Sequence, residues 1–255
     1  DYASIIQKEF SNIDSISTWG GEDNDPPDYG KVYIAIKPLL ADQLTTAEKT
    51  DITGVILKGK NVVSITPEIV NTNYTFLEID ANFKYNPNLT DRSSVELQSV
   101  VRDTITDYNF NNLNKFDGVF RHSQLTRAID NSDPSILNTI IRPRMFQNIT
   151  PSNVSTLPND FNLSFTSPFY QSGNSTAFIL TSSAFKINNV DHFFGDIPIT
   201  GSTQRQVIVY KVVNLENVTV INNAGIIDVL KGTISLNNFF PDATTAIKIT
   251  VLPNS

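Results

Sequence analysis

The chain has 255 residues, 40% of them hydrophobic, and a net charge of −7, which supplies enough apolar material for one large core or two modest ones. Its basic residues are scattered, so the basic stripe that a nucleic-acid partner requires is missing; no apolar run approaches the roughly 20 residues of a membrane span, and no signal-peptide pattern opens the chain. Cysteine is absent, which removes disulfides and thiolate chemistry and suits assembly in a reducing cytoplasm.

Residues 1–17 read as a short amphipathic helix, with Ile5, Ile6, Phe10 and Ile13 at helical spacing. Thr18–Gly30 reads as a loop, because Pro26-Pro27 cannot continue a helix. Val32–Ile36 is apolar and β-branched between Gly30 and Pro38, the pattern of a buried strand. Thr45-Thr-Ala-Glu48 is a capping box opening a helix with Ile52, Val55 and Ile56 inward. Strands follow at Val62–Ile65 and Tyr74–Tyr85, the second long, half-buried and antiparallel. Ser93-Ser-Val-Glu96 caps a helix with Leu97, Val101, Ile105 and Tyr108 on one face. Ser123 caps a third helix, with Leu125 and Ile129 inward and Asp133-Pro134 after its end, and Ile136–Met145 returns as a strand. The expected fold class is α+β: a two-layer domain with helices on one face of a mixed sheet, followed by an antiparallel β module.

Past residue 150, Pro151, Pro158 and Pro168 sit among Ser, Thr and Asn as a connection. Strands are predicted at Ala177–Leu180, Gln206–Val213, Val218–Ile221, Ile226–Leu230, Thr233–Leu236 and Ala246–Leu252. Turn signals separate them at Asn222-Asn223-Ala224-Gly225 and Lys231-Gly232. The segments are thus 1–30 (helix and acidic connector), 31–150 (α+β domain) and 151–255 (β-rich module). Asn occurs 28 times, so the Asn-x-Ser/Thr sequons are read as composition and not as glycosylation sites. The chain starts at Asp1 without an initiator Met, which points to a piece of a longer polypeptide.

Chemistry is sparse. The run Glu22-Asp23-Asn24-Asp25 with Asp28 resembles a Ca²⁺ ligand set, but an EF-hand counted from Asp23 would need Gly at the sixth place and Glu at the twelfth, where Asp28 and Ile34 stand. Gly20-Gly21-Glu22-Asp23 is similar to the GGDEF-type loop of nucleotide cyclases, yet two prolines follow almost at once and no phosphate-binding Lys or Arg lies nearby before Lys31. His122, Ser123 and Asp117 suggest a triad without a Gly-x-Ser-x-Gly elbow, and His192 has acids nearby but no second His for a metal. HExxH, Walker and GxGxxG motifs are all missing. The expectation is a non-enzyme without metal or cofactor. The Phe193-Phe194 and Phe239-Phe240 doublets are surface signals. Adjacent strand residues point to opposite faces, so one ring of each needs a second cover from the chain or from a partner.

Trp19-Gly-Gly-Glu-Asp-Asn-Asp-Pro-Pro-Asp-Tyr-Gly-Lys-Val-Tyr-Ile-Ala-Ile-Lys-Pro38 strongly resembles a segment of the baseplate wedge subunits of T-even-type contractile-tailed phages, within the baseplate J-like family. The resemblance continues through Asn61–Val70, Phe116–Arg121, Ser123-Gln-Leu, Ile129–Ile136, Ile140–Arg144, Lys231–Phe239 and the Ile-Lys-Ile-Thr-Val strand, and is weakest over 150–225. It implies a structural part of the tail baseplate in the virion, assembled in the host cytoplasm and corresponding to the C-terminal part of a longer subunit. Copies associate in pairs and, with other wedge proteins, form the ring around the hub that takes part in the shape change triggering sheath contraction; no catalytic residues carry over. On this basis the expected interface residues are Trp19, Asp23, Asp25 and Asp28 of the acidic connector, with Phe193, Phe194, Phe239 and Phe240. A receptor- or carbohydrate-binding tail module is the alternative, favoured by an exposed aromatic platform. A metal- or nucleotide-dependent enzyme at Gly20–Asp25 is a third reading, and ligand-induced thermal stabilisation would support it.

Overall fold

Helix α1 (Tyr2–Glu9) is shorter than the pattern over residues 1–17 predicts. Ser11 and Asn12 favour a turn, and Ile13–Gly20 pairs with the following strand instead of extending the helix. Strand β1 (Ile13–Gly20) is antiparallel to β2 (Lys31–Pro38), with Ile16 opposite Ile36 and Trp19 opposite Tyr33. Trp19 and Gly20, expected in a loop, are therefore strand residues. The computed structural model describes residues 2–24, 26–57, 65–116, 118–154, 157–165, 167–173 and 175–254.

Helix α2 (Thr46–Leu57) opens on the expected capping box: the Thr45 N–H donates to Glu48 Oε2 at 2.8 Å, and the Glu48 N–H donates to Thr45 Oγ1 at 3.3 Å. Residues 62–64 of the strand expected at 62–65 lie outside the described residues. The strand that is described, β3 (Thr66–Val70), runs parallel to β2 and makes the three-stranded sheet mixed, in the order β1-β2-β3. Ile6 of α1, Ile34 and Ile36 of β2 and Ile52 of α2 are buried in one cluster. Each such side chain contributes ~1.5–3 kcal/mol by leaving water.

Helix α3 (Ser94–Tyr108) carries a complete capping box between Ser93 and Glu96 and buries Leu97, Val101 and Tyr108. Helix α4 (His122–Asp130) buries Leu125 and Ile129. Ser123, expected as its cap, lies inside the first turn; the N-cap is Arg121, whose side chain makes no capping bond. Tyr108 Oη instead accepts the Arg121 N–H at 3.1 Å, so a tertiary partner does what a local cap would have done. After α4, Asp133 Oδ1 accepts the Ser135 N–H at 2.9 Å and hydroxyl at 2.7 Å, and Asp133 Oδ2 accepts Arg92 at 2.8 Å. The Ser135 hydroxyl, followed by its N–H, holds the Asp133 carboxyl below the usual range.

The remaining strands are β4 (Phe76–Tyr85), β5 (Ile136–Ile149), β6 (Asn159–Ser164), β7 (Leu180–Ser182), β8 (Phe185–Ile187), β9 (Val190–Pro198), β10 (Gln204–Val213), β11 (Glu216–Asp228), β12 (Thr233–Phe239) and β13 (Ile247–Val251). They form a four-stranded sheet ordered β4-β5-β13-β7 and a six-stranded sheet ordered β6-β12-β11-β10-β9-β8. Every pairing in the six-stranded sheet is antiparallel. The class is α+β. By chain contacts the protein divides into two compact units, Asp1–Asn73 with Lys84–Asn138, and Tyr74–Phe83 with Thr139–Ser255.

Two departures from the sequence reading have clear causes. The segments expected as separate strands at Val218–Ile221 and Ile226–Leu230 are one strand, β11, and Asn222–Gly225 is an irregularity within it, not a turn. Gly225 has φ 146°, and a Cβ there would stand 1.9 Å from the Ser235 carbonyl oxygen, so the glycine serves close strand approach. Strands β6, β8 and β9 were not anticipated: Asn, Asp and Gly break up β6 and β9, β8 is only three residues long, and neighbouring strands supply the order.

Candidate functional site

The acidic segment is the connection of the β1–β2 hairpin. Gly21–Asp23 forms one 3₁₀ turn, and the chain closes on itself where the Asp28 N–H donates to the Gly21 carbonyl at 2.8 Å. Gly20 has an ordinary extended conformation at φ −75°. Gly21 is required for space: a Cβ would lie 1.8 Å from the Asp28 carbonyl oxygen. The reversal therefore depends on a missing side chain at Gly21, with no left-handed backbone at either glycine.

Trp19 is half-buried. Its ring stacks on Tyr33 with centroids 5.7 Å apart, and its Nε1 donates to Asn24 Oδ1 at 2.9 Å. The Tyr33 hydroxyl donates to Asp28 Oδ2 at 2.7 Å, and Lys31 Nζ lies 3.0 Å from Asp28 and 3.1 Å from Glu68. The Tyr33 hydroxyl, with Lys31 next, holds the Asp28 carboxyl low; Asp28 in turn raises the Tyr33 hydroxyl and, with Glu68, raises Lys31. Trp19, Tyr33, Asp28, Lys31 and Glu68 thus form a closed network within the hairpin and β3. Glu22 and Asp23 are exposed, and Asp25 lies outside the described residues. Among the described residues, no group of three or more His, Cys, Asp or Glu side chains is placed to hold a metal ion. Asp117 of the triad reading also lies outside the described residues. His192 is buried, its Nδ1 2.8 Å from the Val190 carbonyl and its ring beside Phe185, a packing position.

The two doublets behave unequally. Phe194 and Phe239 are fully buried and meet edge-to-face at 5.1 Å, with Phe185 at 4.7 Å from Phe194. Phe193 is half-buried and stacks on Tyr210 at 5.6 Å, so a neighbouring strand covers its ring. Phe239 ends β12, and Phe240, half-buried, lies just beyond it. The anchors expected at the surface are therefore part core and part rim.

Sequence reasoning missed a charged pair in the core of the second unit. Asp196 is fully buried and accepts the Ile179 N–H at 2.9 Å, the Leu180 N–H at 2.8 Å and Arg205 Nε. Arg205, 3% exposed, donates onward to the carbonyls of Gly173, Ser175 and Ala177 at 3.1–3.3 Å. Burial pushes the Asp196 carboxyl up, against the downward pull of the Leu180 N–H and of Arg205. The sequence carried little signal for this pair, because β9 was not anticipated as a strand and Arg205 precedes the predicted strand Gln206–Val213.

Comparison with known proteins finds two consecutive family matches. Residues 1–70 match the baseplate structural protein gp6 C-terminal domain I, and residues 73–148 match C-terminal domain III of the same protein. Baseplate wedge protein gp6 of Enterobacteria phage T4 is 27% identical over 150 residues, which is 58% of this chain and 22% of the phage protein. The chain thus spans about a fifth of the length of that relative. Two domain models in succession, together covering more than half of the chain, and an independent relative of the same description agree: the chain belongs to the gp6 family of baseplate wedge subunits and carries its C-terminal part.

Proposed function

We propose that this chain is a structural component of a contractile phage tail baseplate wedge, acting without catalysis. It self-associates, binds other wedge proteins to form the ring around the hub, and takes part in the shape change that triggers sheath contraction. The carrying observation is the succession of gp6 C-terminal domains I and III along residues 1–148. Its place is the tail baseplate of the virion, after assembly in the host cytoplasm. Within this reading Trp19, Asp23, Asp25 and Asp28 form a docking edge, and the half-buried Phe193 and Phe240 make a second contact, while Phe194 and Phe239 lie in the core. The closed network around Tyr33 stiffens that edge and leaves the exposed Asp23 to meet a basic partner group.

A competition experiment separates assembly from receptor binding. Excess chain present during particle assembly should lower the yield of tailed phage by occupying wedge positions. Excess chain added to host cells before infection should leave adsorption unchanged. Blocked adsorption with normal assembly would reverse the conclusion in favour of the receptor-binding module.

A further inference from the structure

Strands β10 and β11 run on past the rest of their sheet. Among the described residues, β9 pairs with β10 only as far as Tyr210, and β12 pairs with β11 only from Gly225 onward. Residues 211–221 therefore form a two-stranded arm, and every residue from Val212 to Val220 is exposed. A two-stranded ribbon is marginal in water, yet this one displays Val212, Val213, Leu215, Val218 and Val220 and closes on a strained turn. Asn214 and Leu215 have φ 52° and 68°, the left-handed pair of a two-residue hairpin loop, and Leu215, a bulky residue in that region, is 97% exposed. Among the described residues neither Lys211 nor Glu216 takes part in an ion pair.

The ladder of the arm decides which backbone groups remain for another chain. Val213 and Glu216 close the two-residue hairpin and exchange their N–H and C=O groups, and the pattern alternates from there. Lys211 with Val218 is bonded in the same way, whereas Asn217 and Thr219, opposite Val212 and Tyr210, turn their N–H and C=O groups away from β10. Past Thr219 the register shifts and Ile221 pairs with Val209, which ends the regular edge. Asn217 and Thr219 thus offer donors and acceptors on either side of Val218. A second copy laid antiparallel, with Val218 opposite Val218, sets Asn217 against Thr219 and, by two-fold symmetry, Thr219 against Asn217, so that each pair exchanges both of its hydrogen bonds. The same register brings Leu215 beside Ile221 of the second copy and sets Glu216 against Val220, with no like charges opposed. Moving the axis to Asn217 leaves Thr219 facing the turn at Leu215, and moving it to Thr219 leaves Asn217 facing Ile221, already beyond the register shift. Two arms joined at Val218 make a four-stranded ribbon, past the size at which a small sheet holds by itself.

We propose that the exposed arm of β11 pairs with β11 of a second copy about an axis at Val218, giving an intermolecular ribbon in the order β10-β11-β11-β10. The inference rests on the self-association proposed above and assigns it a surface other than the acidic connector and the Phe doublets.

The chain has no cysteine, so a single introduced thiol reports the register. The Val218 pair on the axis is of the non-hydrogen-bonded kind, with Cα atoms about 4.5 Å apart, inside the range a disulfide accepts. Under mild oxidation Val218→Cys should give a covalent dimer, while Asn217→Cys, which faces Thr219, should stay largely uncrosslinked. Thr219→Pro removes an N–H that points to the second copy and none that β10 uses. It should raise the dimer dissociation constant on the order of tenfold or more, because the lost bond occurs twice. Val218→Glu, a change at an exposed position that sets two like charges on the axis, should weaken the dimer likewise. Circular dichroism should show each variant folded. The contact is smaller than a standard interface, so the wild-type dimer is weak and its mass is followed by light scattering over a concentration series. A wild-type dimer combined with no Val218→Cys crosslink, faster crosslinking of Asn217→Cys, or a dissociation constant unchanged in both Thr219→Pro and Val218→Glu would overturn the arm contact and leave self-association standing. A wild-type monomer at every concentration, with no crosslink, would remove both.

Discussion

Replacing Asp196 with Ala removes one partner of a fully buried pair. In the native structure Asp196 accepts two main-chain N–H groups and Arg205, and Arg205 spends its other donors on the carbonyls at 173, 175 and 177. The variant leaves a guanidinium that is 3% exposed without its counter-ion and the N–H groups of Ile179 and Leu180 without an acceptor. An uncompensated buried charge costs about 3–5 kcal/mol and each orphaned N–H about 1–3. Asp196→Ala should therefore lose at least about 4 kcal/mol, a large share of a typical domain's stability. The double variant Asp196→Ala with Arg205→Met removes the stranded charge and should recover about 2 kcal/mol of that loss. The assay is urea unfolding followed by far-ultraviolet circular dichroism, since the one Trp, Trp19, belongs to the other unit. A loss below about 1 kcal/mol for the single variant, or no recovery in the double, would refute the buried-staple argument.

Four further outcomes are expected. Gly225→Ala should cost about 3 kcal/mol or more, because its Cβ would meet the Ser235 carbonyl from a backbone at φ 146°; thermal melting reads this, and a change under 1 °C would contradict it. Gly21→Ala should break the hydrogen bond from the Asp28 N–H and shift the emission of the stacked Trp19, with the melting point as a second readout. Ser93→Ala should lose about 1 kcal/mol in chemical denaturation, from the capping box of α3. Acid should destabilise the fold. Glu48 and Glu96 are held below 4.5 chiefly by the N–H groups of Thr45 and Ser93, and Asp133 below 3.8 chiefly by Ser135. The unfolded chain thus takes up these protons first, and the stability they contribute, complete above the ordinary values, drains away as pH falls through the lowered ones. Asp196, pushed up by burial, acts in the opposite sense. The urea midpoint should fall between pH 5 and pH 3, and a rising midpoint would show that Asp196 outweighs the lowered set.

Local chemistry was legible where the chain settles its own conformation. The capping boxes at Thr45 and Ser93, strand β2 between Gly30 and Pro38, and the alternation of β13 follow from contacts a few residues apart, so sequence spacing suffices to find them. The resemblance carried by Trp19–Pro38 pointed to the family that the domain matches show. Other features depend on residues far apart in the chain. Helix α1 stops early because Ile13–Gly20 has β2 to pair with, Arg121 replaces Ser123 as a cap because Tyr108 is in reach, and β11 passes through Asn222–Gly225 because β12 approaches too closely for any side chain at Gly225. Asp196 and Arg205 belong to neighbouring strands, and the backbone groups they satisfy come from a third segment. Trp19 and Asp28 read as interface residues of an acidic connector; the hairpin register also brings Tyr33 and Lys31 to them, a contact no local pattern announces. By itself the sequence determined the class, the capping boxes of α2 and α3, strands β2 and β13 and the family, all carried by short-range pattern. The tertiary structure alone decided which strands are neighbours and which polar groups are buried in pairs, because those are properties of residues brought together from distant parts of the chain.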